Sequence, residues 1–80
     1  MHSPLIAMIQ GLLKRGVDQG VFREGVDPVQ LYISIAGLGY FYFSNMHTLS
    51  TIFGTDLSNP KRREARRRHI AEFVLGYLRL

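Results

Sequence analysis

Eighty residues without a cysteine allow one domain at most, and they exclude a disulfide framework or a thiolate metal site. A hydrophobic share of 46% excludes disorder, yet a chain this short buries only roughly 60% of its unfolded surface and leans on a partner or a staple. The net charge of +4 is local: Lys61, Arg62, Arg63, Arg66, Arg67 and Arg68 are six of the ten cations, and elsewhere four bases face five acids.

Three prolines each follow a good capping residue, in Ser3-Pro4, Asp27-Pro28 and Asn59-Pro60. Proline suits the first helical position because its missing N–H would have no partner there. The preceding side chain can accept from a free N–H of the first turn. The three pairs therefore predict three main helices. The first spans about 4–18, with Leu5, Ile6, Ile9, Leu12, Leu13 and Val17 at helical spacing. Lys14 and Arg15 complement its dipole, and Gly20 ends it. Residues 21–26 connect, with Gly25 allowing a sharp bend; Phe22, like Phe53 further on, reads as a packing residue.

The second helix spans about 28–45. Asp27 and Gln30 have capping-box spacing. Val29, Tyr32, Ala36, Tyr40 and Phe43 share one face, and Leu31, Ile35, Leu38 and Tyr42 lie roughly opposite. A stripe of Gln30, Ser34, Gly37, Phe41 and Ser44 runs between them. A helix apolar on nearly all sides must be covered on nearly all sides, and two other long helices are too few to do it. A short helix over 48–53, closed by Gly54, precedes a last helix from Pro60 to the chain end. Ile70, Phe73, Val74, Tyr77 and Leu78, widened by Ala71 and Leu75, cover more than the ~100° stripe that one contact needs. Both helices thus call for a second copy of the chain.

The stretch GVFREGVDPVQLYISIAGLGYFYFSNMHTLSTIFGTDL (20–57) resembles the C-terminal regulatory domains of tetracycline-repressor-type (TetR-family) transcription regulators. Its Gly-Val-Phe-Arg turn and Val-Asp-Pro helix start carry the likeness, and RRHIAEFVLGYLRL (67–80) looks like the family's final helix. The resemblance implies an all-α fold, a helical bundle completed by dimerisation, over residues 1–80. It implies that the second and last long helices pair with their copies in a four-helix interface. It further implies a cavity for a small-molecule effector and an N-terminal helix-turn-helix domain that this sequence lacks, so that DNA is reached only through the missing part.

On that reading, Ser34, Gly37, Leu38 and Phe41 with Phe73 and Tyr77 are the expected dimer interface, each patch meeting its counterpart across the axis. Gly37, Gly39 and Gly76 can admit close helix crossings. A competing reading gives the Gly/Ser stripe to contact with the first helix. Among the aromatics, Tyr32, Tyr40 and Phe43 are the expected ligand-binding residues, since pockets are mostly apolar with a few polar groups; filling a core or interface is the alternative.

The cations of 61–68 are scattered around the helix and crowd a dipole end that disfavours them. A solvated end with local ion pairs, docking against acidic groups of a missing domain or partner, and direct contact with nucleic acid or an anionic membrane all stay open. The last of these is the rival function: a small basic helical protein. His2, His47 and His69 have no metal-ligand spacing, and no nucleophile–base pair or glycine-rich phosphate loop is visible. No metal, cofactor or catalysis is expected. Residues 1–13 do not read as a signal peptide. The longest apolar region, Leu31 to Phe43, falls well short of the roughly 20 residues that span a bilayer. A cytoplasmic protein with no membrane contact is the expectation.

Overall fold

The computed structural model describes residues 3–80. Four helices follow in order: α1 (Pro4–Asp18), α2 (Pro28–Ser44), α3 (Met46–Phe53) and α4 (Pro60–Leu78). Among the described residues no strand forms, and the fold is all-α. Each expected cap is in place. Ser3 Oγ accepts from the Ile6 N–H at 3.3 Å, Asp27 Oδ1 from Val29 and Gln30 at 2.9 and 3.4 Å, and Asn59 Oδ1 from Lys61 at 2.8 Å. Only half of the capping box forms, because the Gln30 side chain does not return to Asp27 and lines a groove instead. Gly20, Gly25 and Gly54 take positive φ, the last closing α3 in the left-handed region. The short helix begins two residues earlier than expected, at Met46.

α2 is the centre of the fold and packs on each of the other three helices. Leu13 of α1, Leu31 of α2 and Leu78 of α4 form the buried cluster, joined by Ile9, Phe22, Val26 and Val74. Phe22 lies flat on Gly16, so closely that a Cβ there would stand 2.0 Å from the ring. Backbone bonds from the Val21 and Phe22 N–H groups to the Gly16 carbonyl hold it in place. Phe53, by contrast, is 68% exposed.

α4 does not run to the chain end. Arg79 turns extended and pairs with Phe22 in an isolated antiparallel bridge. The Arg23 N–H donates to the Leu78 carbonyl at 2.8 Å, and the Leu80 N–H to the Val21 carbonyl at 3.3 Å. The connector thus gives a donor to the Leu78 carbonyl, which the helix end would leave without a partner, and an acceptor to the Leu80 N–H beyond it. The Arg23 guanidinium sits 3.9 Å over the Tyr77 ring.

The molecule is a slab of 44 × 30 × 17 Å with a radius of gyration of 15.4 Å. A compact domain of this length would have a radius near ~11.6 Å. The accessible surface is 6103 Å², against about 4,900 Å² for a compact monomer of this mass. One layer of helices has been laid out with no second layer upon it.

Candidate functional site

The uncovered surface centres on α2. Of its apolar side chains, Leu31 and Tyr42 are buried and Leu38 is half-buried, all on one side. Val29, Tyr32, Ile33, Ile35, Tyr40, Phe41 and Phe43 are exposed. On α4 the half-buried and buried positions are Arg63, Arg66, Ile70, Val74 and Leu78, at spacings of three and four. Phe73 and Tyr77 lie beside that row and remain 59% and 48% exposed.

Between α2 and α4 runs an open groove. One part, about 190 Å³, is lined by Gln30, Leu31, Ser34, Leu38, Phe73, Val74 and Tyr77. The adjoining part is walled by Ser34, Gly37, Leu38, Phe41, Arg66 and Phe73. All six residues expected at the dimer seam therefore line one continuous groove within a single chain. Gln30, Ser34, Gly37 and Phe41 of the Gly/Ser stripe line this groove together with residues of α4, whereas Ser44 lies at another hollow. A Cβ at Gly37, Gly39 or Gly76 would meet nothing within 4 Å, so these glycines serve no close crossing inside the chain. Sequence reasoning passed over Gln30, Leu31, Val74 and Arg66 as groove residues. For Arg66 a signal existed: it continues the Ile70–Val74–Leu78 row one turn back.

Arg66 is not a freely solvated cation. Its Nη2 donates to the Leu38 carbonyl at 3.0 Å, and its guanidinium lies 5.7 Å from the Tyr42 ring centre. The Tyr42 hydroxyl donates to the Leu57 carbonyl at 2.6 Å. The Leu57 N–H in turn donates to Ser50 Oγ at 2.9 Å. One tyrosine thus ties α2 to the turn after α3 and to α4. Removing its hydroxyl should cost about 1 kcal/mol, as a lost neutral hydrogen bond does. Tyr42→Phe is therefore expected to lower the thermal midpoint by several degrees, about 4–8 °C for a domain of this size. An unchanged melting curve would remove the tie from the account. Arg67 pairs with Glu64 at 3.3 Å on the surface, leaving Lys61, Arg62 and Arg68 exposed without an acidic partner among the described residues.

Of the residues expected to bind ligand, Tyr32 and Tyr40 stand 42% and 74% exposed on the α2 flank away from the groove. Phe43 reaches a third hollow, of about 340 Å³, shared with Ser44, Met46, His47, Ser50, Asp56 and Ser58. The three do not converge on one cavity within this chain. Hydrogen bonds from the Ser58 hydroxyl and N–H hold the Asp56 carboxyl below its ordinary range. His2 lies outside the described residues. Among those described, no cluster of three metal-type side chains occurs, and no helix is long and apolar enough to cross a membrane.

Comparison with known proteins bears on what such a layer is for. The family described as tetracyclin repressor-like, C-terminal domain, matches residues 1–74. The chain is 31% identical over 79 residues to the HTH-type transcriptional repressor NicS of Pseudomonas putida, an alignment covering 99% of this chain. The chain spans 37% of that protein's length. No solved structure gives a significant match. With an all-α layer whose second and last long helices stay uncovered, and a family match over nearly its whole length, the chain belongs to the tetracyclin repressor-like C-terminal domains.

Proposed function

We propose that this chain is the dimerisation and effector-sensing domain of a TetR-like transcriptional regulator. DNA binding belongs to a helix-turn-helix domain outside these 80 residues, as the name of the NicS relative suggests for that protein. The observation that carries the reading is the uncovered α2–α4 face. Ser34, Gly37, Leu38, Phe41, Phe73 and Tyr77 present it as one patch. The surface in excess of a compact monomer is about 1,200 Å², more than the ~800 Å² per partner of a standard interface. A two-fold contact is self-complementary, so one patch suffices for both copies.

The opposite flank of α2, with Tyr32, Tyr40 and Phe43, is assigned to the effector side. An effector that binds one arrangement of the helices more tightly shifts the population toward it. The coupled change is the separation of the two DNA-binding heads, which half-site spacing makes decisive. The domain works in the cytoplasm, where its operator is, and no catalytic step is assigned to it. The rival reading through residues 61–68 keeps fewer cations than the sequence offered, since Arg63 and Arg66 turn inward and Arg67 is paired.

Sedimentation equilibrium at micromolar concentration tests the proposal. A dimer is expected. A folded monomer with intact helicity would overturn it, and salt-dependent binding to random DNA by that monomer would favour the rival.

A further inference from the structure

We infer that Arg66 forms a binding site for a carboxylate at one end of the α2–α4 groove, with Arg63 one turn before it adding positive charge. Both arginines are half-buried. The Nε of each is shielded from solvent and has no hydrogen-bond partner. Neither has an acidic group within 4.0 Å among the described residues: the ion pairs there are Lys14–Asp18 and Arg67–Glu64. Glu64, the one acid inside the basic run, is thus committed elsewhere.

A guanidinium partly withdrawn from water calls for a counter-charge, because its lost hydration is otherwise uncompensated. What Arg66 has is one neutral carbonyl, at Leu38, and the face of the Tyr42 ring. Those two contacts aim and steady the group without neutralising it. An anion arriving along the groove meets Ser34 with its hydroxyl, the rings of Phe41 and Phe73, and Arg66. The occupant is therefore an anion with an apolar body. A carboxylate matches the planar guanidinium fork with two parallel bonds. A phosphate dianion would set further charge against the aromatic walls. The nearby Lys61, Arg62 and Arg68 add a positive field that draws in anions.

The carboxylate has two possible sources: a small apolar acid, or an acidic side chain of a second copy. The inference goes beyond the dimer reading and stands on Arg66 whether or not the groove is the seam. It is tested on the 80-residue chain with hexanoate as probe and hexanamide as its neutral match, following the Arg66 Nε–H resonance by NMR. Hexanoate should shift that signal saturably and hexanamide should not. Arg66→Gln, checked by circular dichroism and titrated through the backbone amides of Leu38 and Phe41 because the Nε–H signal is lost with the arginine, should weaken hexanoate binding about tenfold, the loss of one charge-assisted contact. If that variant unfolds, Arg66→Lys retains a cation at the Leu38 carbonyl and should still weaken binding several-fold for want of the fork.

If the acid comes from a second copy, the signal should also move with protein concentration, and hexanoate should dissociate the dimer. If the acid is a free molecule, hexanoate should leave sedimentation unchanged. A signal indifferent both to hexanoate and to protein concentration overturns the site. So does undiminished hexanoate binding by a folded Arg66 variant. A dimer that shows no such response loses the carboxylate site alone, whereas a monomer that binds hexanoate through Arg66 loses the dimer alone.

Discussion

Replacing Leu38 with Arg should abolish self-association and most of the helical signal in one step. Leu38 is half-buried, lines both parts of the groove, and offers its own carbonyl to Arg66. A second guanidinium there would stand beside the first, in an apolar setting without an acid. Such an unpaired charge belongs to the few changes that cost about 3 kcal/mol or more, a large part of what so small a domain has in reserve. Tyr77→Arg should act in the same direction but less strongly at the level of the fold. Its ring is 48% exposed, so the new side chain can reach water. It would still trade the stacking of Arg23 over Tyr77 for repulsion between like charges. Far-UV circular dichroism and sedimentation velocity on the same samples read both effects. Wild-type values for both variants would place the seam on another surface.

Gly16→Ala is the other large effect, and its sign is opposite to what helix propensity suggests. In an open helix interior the change would stabilise by about 1 kcal/mol. Here the new methyl would lie 2.0 Å from one carbon of the Phe22 ring and 2.5 Å from the ring carbon that carries the side chain. The ring cannot simply swing aside, because the Phe22 backbone is bonded to Gly16 and bridged to Arg79. Overpacking of this kind costs about 1–3 kcal/mol, and the tight placement argues for the upper half of that range. The connector should lift from α1 and take the end of α4 with it. Thermal unfolding should show a midpoint lowered by roughly ten to twenty degrees, at about 4–8 °C per kcal/mol in a domain of this size. Phe22→Leu in the Gly16→Ala background should restore part of the loss. A Gly16→Ala protein as stable as the parent would show that the connector is free to move.

The helices were legible because their signals are local. Ser3, Asp27 and Asn59 cap within three residues, and proline acts on its own turn, so three starts could be read without knowing what packs on what. That α2 has more apolar surface than two neighbours can cover was a matter of counting faces, and the exposed Val29, Ile33, Tyr40 and Phe41 show it. What stayed hidden were contacts between residues far apart in the chain. Arg66 bonds a carbonyl 28 residues away, and a run of arginines does not announce which two will turn inward. Arg79 leaves the helix for a connector more than fifty residues earlier, and no propensity at Arg79 encodes that. Tyr42 was placed on an apolar face, but its hydroxyl bond to Leu57 depends on how the turn after α3 folds back. Helix propensity marks Gly16 only as a weak point of its helix; its role as a seat for Phe22 needed the connector's path.

α2 touches every other helix, and its two flanks face different neighbourhoods. Its 17 residues make a rod about 25 Å long. A guest wedged against Tyr32 or Tyr40 would push the same backbone that bears Ser34, Gly37 and Phe41. On the proposed function, signal transmission would require no chain of intermediaries: input and output would be two sides of one axle, and rolling it a few degrees would re-aim both at once.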